Sequence, residues 1–331
     1  MESIYNYSHK DLENYFLKKD LKKYKATQIF EWIYQKRIND FNEITNFKKT
    51  IIETLKEEFI IDKLEVITKE KDKDVIKYLF ELRDGEKIEA VLMKQKYGNS
   101  LCISSQVGCS MGCAFCESGK LKKVRNLSVN EMILQLLQVD LKVSHVVIMG
   151  IGEPFDNYDN VMKFIDIINH PKGLAIGARH ITISTAGIIP KIKEFMNSGK
   201  QINLAISLNA PNDELRNKLM PINKTYSLNE LIKTTKEYIL KTNRRVTFEY
   251  VMLKNINDRE EHALELCKLI KGINCYVNLI PYNKTSYNYE TSDKVMKFYD
   301  ILKKNKINVT IRKEFGNKIN AACGQLRAKE K

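Results

Sequence analysis

The sequence predicts an α/β fold, a partial (β/α)6 barrel over residues 100–331, joined through a β-extension at 61–99 to a small helical accessory domain at 1–60. Three observations predict it. From residue 100 onward, strand-like apolar runs alternate with amphipathic stretches of helical length, the pattern of a parallel sheet covered by helices. A polar or Gly-rich cluster follows each of five strand-like runs, at 109–116, 150–154, 184–187, 207–211 and 281–283, and barrels of this class carry their sites at C-terminal strand ends. Before residue 100 the pattern is different, with helical spacing first and strand alternation after it.

In the accessory domain, Ser8 is placed to cap a helix bearing Leu12, Tyr15 and Phe16. Ile29, Phe30, Ile33 and Tyr34 mark a second helix, and Ile51, Ile52, Leu55 and Phe59 a third. The runs LEVITKEK, VIKYLFEL and KIEAVLMKQ then read as strands, with Asp84-Gly85 as a hairpin turn. The barrel strands are expected at SLCISSQ, SHVVIMG, RHITIST, INLAISL, RVTFEYVML, CYVNLIPY and INVTIRK. The helices between them are SVNEMILQLLQV, NVMKFIDIIN, IPKIKEFMNS, SLNELIKTTKEYIL, REEHALELCKLIK and SDKVMKFYDILKK.

Composition narrows the class. The chain has 331 residues, 43% of them hydrophobic, which is ample for a core and argues against disorder. No uncharged apolar run approaches the ~18 residues of a membrane span, and the first residues show no basic segment followed by an apolar one. A cytosolic protein without membrane partners is expected. Net charge is +14, and residues 1–60 carry eleven Lys or Arg against ten acids, so the basic excess lies in the later part. Such an excess favours polyanions, although an AT-rich coding sequence also yields lysine without functional cause. A solvated lysine-rich surface is the plain alternative.

Seven cysteines are present, an odd number that fits metal or redox chemistry better than a disulfide scaffold. Cys109, Cys113 and Cys116 form C-x3-C-x2-C in the loop after the first barrel strand. Three thiolates on one loop suit three corners of a cubane iron–sulfur cluster, leaving one iron open. A structural zinc site would need a fourth ligand, and His145, His170 and His180 each stand in other strand or helix contexts. A cluster is therefore favoured. Cys267 and Cys275 read as buried packing, Cys267 on a helical face with Leu264 and Ile270. Cys102 and Cys323, taken singly, would also read as packing.

The motif, with Phe115 before its last cysteine, resembles the radical S-adenosylmethionine superfamily, and GIGEP at 150–154 resembles its Gly-Gly-Glu stretch. Further stretches, CISSQVGC, IMGIGEPFDN, ARHITIST, AISLNAPN, LMPIN, FEYVML, VNLIPYN and AACGQLRAK at 321–329, are similar to the RlmN family of adenine C2 methyltransferases acting on 23S ribosomal RNA and transfer RNA. The resemblance implies a [4Fe-4S] cluster on Cys109, Cys113 and Cys116, and S-adenosyl-L-methionine held near Gly152, Glu153, Ser184, Ser207, Leu208, Asn209 and Asn283. It further implies that Cys323 accepts a methyl group from one S-adenosylmethionine. A second molecule, cleaved to the 5′-deoxyadenosyl radical, removes a hydrogen from that methyl, and the carbon radical adds to adenine C2. Cys102 then releases the product by forming a transient disulfide with Cys323.

A base is needed for the C2 proton, and the resemblance assigns it to Glu89, with Glu86 as competitor. An external one-electron reductant and a monomer are expected. Three departures from the family pattern stand out: Asn209 where His is usual, Asn320 where Asp is usual, and Glu117-Ser118 after the third cluster cysteine. The target base must leave its stack to enter a barrel. Lys120, Lys122, Lys123 and Arg125, just after the cluster loop, could bind phosphates or simply face solvent. Two other readings remain open, a C8-specific rRNA methyltransferase conferring antibiotic resistance and a metal-stabilised RNA-binding protein without catalysis.

Overall fold

A computed structural model describes residues 1–312, 319–326 and 328. The N-terminal unit comprises β1 (Glu2–Ser3), α1 (His9–Lys18), α2 (Tyr24–Tyr34), α3 (Lys49–Glu58) and β2 (Phe59–Ile60), with β1 and β2 paired in parallel. Ser8 caps α1 in a capping box with Asp11. Leu12, Phe16, Ile29, Phe30, Ile33 and Leu55 are all buried, which is the helical spacing read as a packed face. This unit is joined to the barrel by more than chain connectivity: Lys163 pairs with Asp11 at 2.8 Å, and the amide of Asn130 donates to Asn6 Oδ1.

The β-extension consists of β3 (Glu65–Asp72), β4 (Val75–Glu81) and β5 (Lys87–Gln95), an antiparallel meander. Its hairpin between β4 and β5 turns at Gly85, whose φ of 81° is left-handed backbone that glycine adopts without strain. The extension then runs straight into β6 (Gly98–Ile103), the first barrel strand. A short pair, β7 (Gln106–Val107) with β8 (Arg125–Asn126), closes the long loop that follows, and α4 (Val129–Leu137) leads to β9 (His145–Ile148).

Next come α5 (Tyr158–Asn169), β10 (Ile181–Thr185), α6 (Ile189–Asn197), β11 (Asn203–Ser207), α7 (Asp213–Leu219), α8 (Leu228–Thr242) and β12 (Val246–Met252). The last elements are α9 (Glu260–Leu269), β13 (Cys275–Pro281), α10 (Val295–Lys304) and β14 (Val309–Ile311). All ten principal strands lie in one sheet, ordered β14-β13-β12-β11-β10-β9-β6-β5-β4-β3 and parallel from β6 to β14. Among the described residues no pairing joins β14 to β6, so the barrel is partial, as its element pattern predicts. Lys313, the last residue of the expected strand INVTIRK, lies outside the described residues, as do Arg327 and Lys329 of the 321–329 stretch.

The strands are less uniformly apolar than their sequences suggest. Leu204 and Ile206, Val246, Phe248 and Tyr250, and Val277 and Leu279 are buried against the helices. Asn203 and Ala205, Thr247 and Glu249, and Asn278 face the barrel lumen instead. One expectation needs correction: Leu264 does not share the buried face of Cys267. It is 47% exposed, and the face packed on the sheet is Ala263, Leu266, Cys267 and Ile270, about one residue rotated from the expected face. Cys275 is buried at the start of β13. No helix among the described residues is long and apolar enough to cross a membrane.

The junction of β6 with the following loop depends on one buried side chain. Gln135 of α4 accepts from the Ser104 amide at 2.9 Å and donates to the Ser104 carbonyl at 3.1 Å, replacing the ladder partners that β6 has lost. Gln135→Leu keeps the volume but orphans both groups, and is expected to cost about 2–4 kcal/mol in urea unfolding. A loss below about 1 kcal/mol would contradict this assignment.

Candidate active site

All site features lie at the C-terminal ends of the parallel strands. Ser104, just after β6, uses its hydroxyl twice: it donates to the Glu89 carbonyl at 2.6 Å and accepts from the Ile151 amide at 3.0 Å. Gly150 lies so close to β6 that a Cβ would stand 2.6 Å from the Ile103 carbonyl oxygen, so only glycine allows this approach. At Gly152, φ is 108° and a Cβ would fall 2.6 Å from that of Gln106. Gln106 in turn accepts from the Glu153 amide at 2.9 Å and donates to Asn126 and Asp156. The 150–154 stretch is thus a cradle that presents backbone to the cavity.

A cavity of about 160 Å³ opens above these strand ends. Cys109, Cys113 and Cys116 all line it, together with Gly152, Glu153, Ser184, Ser207, Asn209 and Asn283. Leu208 does not: it is fully buried, and its carbonyl accepts from Arg216 Nε at 3.1 Å. Burial pushes the Cys109 thiol up to about 12 and raises those of Cys113 and Cys116, with the neighbouring cluster-loop thiols adding to the rise at Cys109 and Cys113. Three half-buried thiols that repel one another as thiolates suit a shared cationic partner. Among the described residues no group of three or more His, Cys, Asp or Glu side chains is gathered tightly enough for one metal ion. The thiols instead share the wall of a larger cavity, as a multi-iron cluster requires. Asn283 contributes an observation of its own, a buried Oδ1 without a hydrogen-bond partner among the described residues, an acceptor suited to an ammonium or hydroxyl donor.

A second cavity, about 60 Å³, adjoins the first and is lined by Cys102, Cys116, Cys323, Val91, Met93 and Arg312 among others. Cys116, Cys323, Asn283 and Arg312 line both. Cys323 is held through its backbone, its carbonyl accepting from Asn283 Nδ2 at 3.3 Å. Burial pushes the Cys102 thiol up to about 12, nearby Cys323 adds to this, and Arg312 opposes it. Arg312 is itself raised, chiefly by the Cys323 sulfur and then by Glu249.

Glu89 lies on the same face of β5 as Val91 and Met93 but lines neither cavity. It is 1% exposed, pairs with Lys77 Nζ at 3.3 Å, and accepts from the Ala328 amide at 3.1 Å. Glu86, the competing acid, sits in the β4–β5 hairpin, remote from that face. Of the basic residues after the cluster loop, Arg125 is tied to Asp84 and Glu131, Lys123 to Asp156 and Lys120 to Ser286, whereas Lys122 is exposed.

The departures have local reasons. Asn209 and Asn320 both have left-handed backbone, φ 57° and 49°, which Asn tolerates better than most residues. The Asn209 side chain is held at both ends, its oxygen accepting from the Val251 amide and its nitrogen reaching Met220 Sδ, and each end keeps the capacity for one more bond. Glu117 accepts from Ser286 and donates its amide to Gly324, while Ser118 donates to the Leu326 carbonyl. Both residues thereby hold the segment that bears Cys323.

Arg216 escaped the sequence reading. Fully buried, its guanidinium donates to the carbonyls of Leu208, Ala186 and Ser207 and to Asn223 Oδ1, tying together the ends of β10 and β11. Gln106 and Gln135 were missed likewise, and the one signal available for Gln135 was a polar residue inside the apolar run MILQLL.

Known proteins resemble this chain in sequence and in fold. The Radical SAM superfamily matches residues 103–267, and the ribosomal RNA large subunit methyltransferase N-terminal domain matches residues 3–61. A protein of Spiroplasma citri named "Probable dual-specificity RNA methyltransferase RlmN" is 53% identical over 338 residues, covering 99% of this chain and 98% of its own. One of the same name from Enterococcus faecalis is 52% identical, covering 99% and 97%. A crystal structure of a radical SAM methyltransferase from Sphaerobacter thermophilus superposes with a TM-score of 0.93 at 37% identity, over 99% of this chain and 100% of that one.

Glu153 offers a test of the site's electrostatics. Burial pushes its carboxyl up to about 7, against the stabilising amides of Ala186 and Phe155 and the Thr185 hydroxyl. A raised carboxyl contributes stability fully below the unfolded value near 4.5 and loses it as pH rises through 7. In cofactor-free protein, the stability advantage of wild type over Glu153→Gln should therefore shrink by roughly 3 kcal/mol between about pH 4.5 and 8 in urea titrations. Equal pH slopes in the two proteins would refute it.

Proposed function

The chain belongs to the RlmN family of radical S-adenosylmethionine methyltransferases, and from that premise we propose that it methylates C2 of adenosine in both 23S rRNA and tRNA. The observation that carries this reading is the pair of adjoining cavities, one lined by the three loop cysteines and the other by Cys102 and Cys323, with Cys116 and Cys323 common to both. The family uses a [4Fe-4S] cluster and S-adenosylmethionine. When bound, they supply a methyl group and the power to abstract a hydrogen atom from an unactivated carbon.

Cys109, Cys113 and Cys116 would hold the cluster. Gly152, Glu153, Ser184, Ser207, Asn209 and Asn283 would hold S-adenosylmethionine, the orphaned Asn283 Oδ1 being an acceptor for one of its donors. Leu208 would act only through its backbone, by anchoring Arg216.

Adenine C2 is not nucleophilic, so the methyl carbon must approach it as a reactive species on a positioned arm, which is the work of the Cys323 sulfur. After the carbon is bonded to C2, the Cys102 sulfur attacks that of Cys323. The Cys323 S–C bond breaks with its electron pair on the carbon, which takes up a proton to become the methyl group, and a Cys102–Cys323 disulfide remains, to be reduced by two electrons from outside before the next cycle. One cysteine alone would stay attached to RNA.

Glu89 takes the C2 proton. It lies behind the wall of the second cavity, on the β5 face whose Val91 and Met93 line it, and accepts from the Ala328 amide of the segment bearing Cys323. To take the proton its side chain must turn toward the cavity, away from its ion pair with Lys77. An external reductant returns the electrons.

Two outcomes are expected. Mass spectrometry of nuclease digests should place the new methyl on adenosine C2, and a methyl on C8 would favour the antibiotic-resistance branch instead. Cys102→Ala, incubated with RNA under turnover conditions, should accumulate a covalent protein–RNA adduct joined through Cys323. Adduct-free protein that still methylates RNA would exclude the relay.

A further inference from the structure

The +14 charge is not spread evenly over the barrel. At the end opposite the cavities, the β5–β6 turn (96–97) and the six connections entering β9 to β14 (138–144, 170–180, 198–202, 243–245, 270–274 and 305–308) hold nine Lys or Arg and a single acid, Asp140. The connections leaving the strands at the mouth (104–128, 149–157, 186–188, 208–227, 253–259 and 282–294) hold eleven Lys or Arg against eight acids. At the mouth several of those bases are already paired within the protein, as Lys123, Arg125 and Lys254 are. The β3–β4 turn beside the base adds Asp72, Lys73 and Asp74, which trims the excess only slightly. Among these connections, with residues 312–331 after β14 left outside the count, the basic excess is the larger at the end that catalysis does not use.

The base also has a built concavity. A funnel of about 790 Å³ opens there into the lumen, lined by Arg179, Arg244 and Arg245 at its rim and by Glu249 and Arg312 on its floor. Arg244 is fixed by Gln201 at 3.0 Å and Asn203 at 2.7 Å. Arg245 lies over the Tyr276 ring, 3.8 Å from its centroid. Arg179 is exposed. Of the neighbouring lysines, Lys172 and Lys200 are occupied by Glu31 and Asp166, so the arginines are the main groups turned toward a ligand. Guanidinium groups held in place at a rim match the paired oxygens of phosphodiesters.

We propose that this arginine-lined base is a second RNA-binding surface, which grips phosphodiester backbone at the end of the barrel remote from the reacting adenine. A seven-residue strand such as β12 sets the two ends roughly 20 Å apart. A folded RNA is large enough to touch the base while one of its loops enters the mouth, or the base can retain RNA between encounters of the mouth with its target. This rests on RNA as the substrate class, and on nothing in the cysteine relay.

The test is the salt dependence of binding for a 5′-labelled RNA hairpin, followed by fluorescence anisotropy in wild type, Arg179→Gln, the double variant R244Q/R245Q and a control, K233Q/K236Q, on the exposed face of α8. Every phosphate that a variant no longer neutralises should flatten the slope of log K against log salt by about one, so the slope should drop by about one in R179Q and two in R244Q/R245Q, with roughly tenfold weaker binding for the latter. Base variants indistinguishable from the control overturn the proposal. So does saturable binding of ATP that the double variant loses while its RNA slope stays wild type, since the funnel would then take a free nucleotide. Should R244Q/R245Q melt early, R179Q alone decides. Methylation of Cys323, read on its tryptic peptide, separates the two readings: a wild-type protein with the base-dependent slope and no methyl transfer would sink the catalytic reading and leave this one standing.

Discussion

A parallel strand that stops at a cavity leaves its last amides and carbonyls without ladder partners, and the site of this protein depends on how those groups are satisfied. Each unmet group would cost on the order of 1–3 kcal/mol. Buried polar side chains meet them here: Gln135 on Ser104, Asn157 on the Ser105 and Leu127 carbonyls, and Arg216 on Ala186, Ser207 and Leu208. Asn257 does the same for Asn209 and Val251. A single guanidinium crossing two loop ends is well suited to this, because its five donors fan out in one plane. Burial lowers the Arg216 pKa to about 10, still far above neutrality, so the charge persists among carbonyl acceptors.

The same arrangement leaves the lumen open. Closed (β/α)8 barrels fill their interior with layers of side chains, whereas this one, with no β14–β6 pairing among the described residues, lines its lumen with Thr182, Asn203, Thr247, Glu249 and Asn278. Glu249 accepts from Asn278 at 2.8 Å, and its carboxyl, raised by burial, is partly rescued by Arg312. Arg312 in turn lines the funnel and both catalytic cavities. One cation thus links the barrel's charged interior to the sulfur pair.

What the sequence disclosed follows from the range of each interaction. C-x3-C-x2-C is a local pattern, so its three thiols could be assigned to one site before any fold was known. Cys102 and Cys323 lie 221 residues apart, and only a family resemblance could join them. Leu208 was placed among cofactor contacts by its position in ISLNA, yet strand alternation turns Ser207 to the cavity and Leu208 to the core, and Asn209 regains the cavity through its left-handed backbone. Arg216 and Gln135 read as ordinary helix residues, because their partners come from other loops of the chain. The helical face of Cys267 erred by one residue, since Leu264 and Ala263 are both acceptable to an apolar periodicity and only packing distinguishes them.

The segment bearing Cys323 shows why polar contacts matter beyond stability. Its backbone is held from the cluster loop by the Glu117 amide on Gly324 and the Ser118 hydroxyl on Leu326. From the other rim Asn283 holds Cys323, Gln325 donates to the Lys284 carbonyl, and Ala328 donates to Glu89. Apolar burial is slight by comparison, limited to Ile319, Ala321, Ala322 and Leu326 among the described residues. Directional bonds at about 1 kcal/mol each fix the location of a sulfur more sharply than non-directional packing of the same total strength. In the proposed relay the Cys323 thiol serves both cavities in one cycle, which calls for that definition and for bonds weak enough singly to be exchanged. The unusual Glu117-Ser118 pair supplies two of them, which ties the cluster loop to the strap that the chemistry uses.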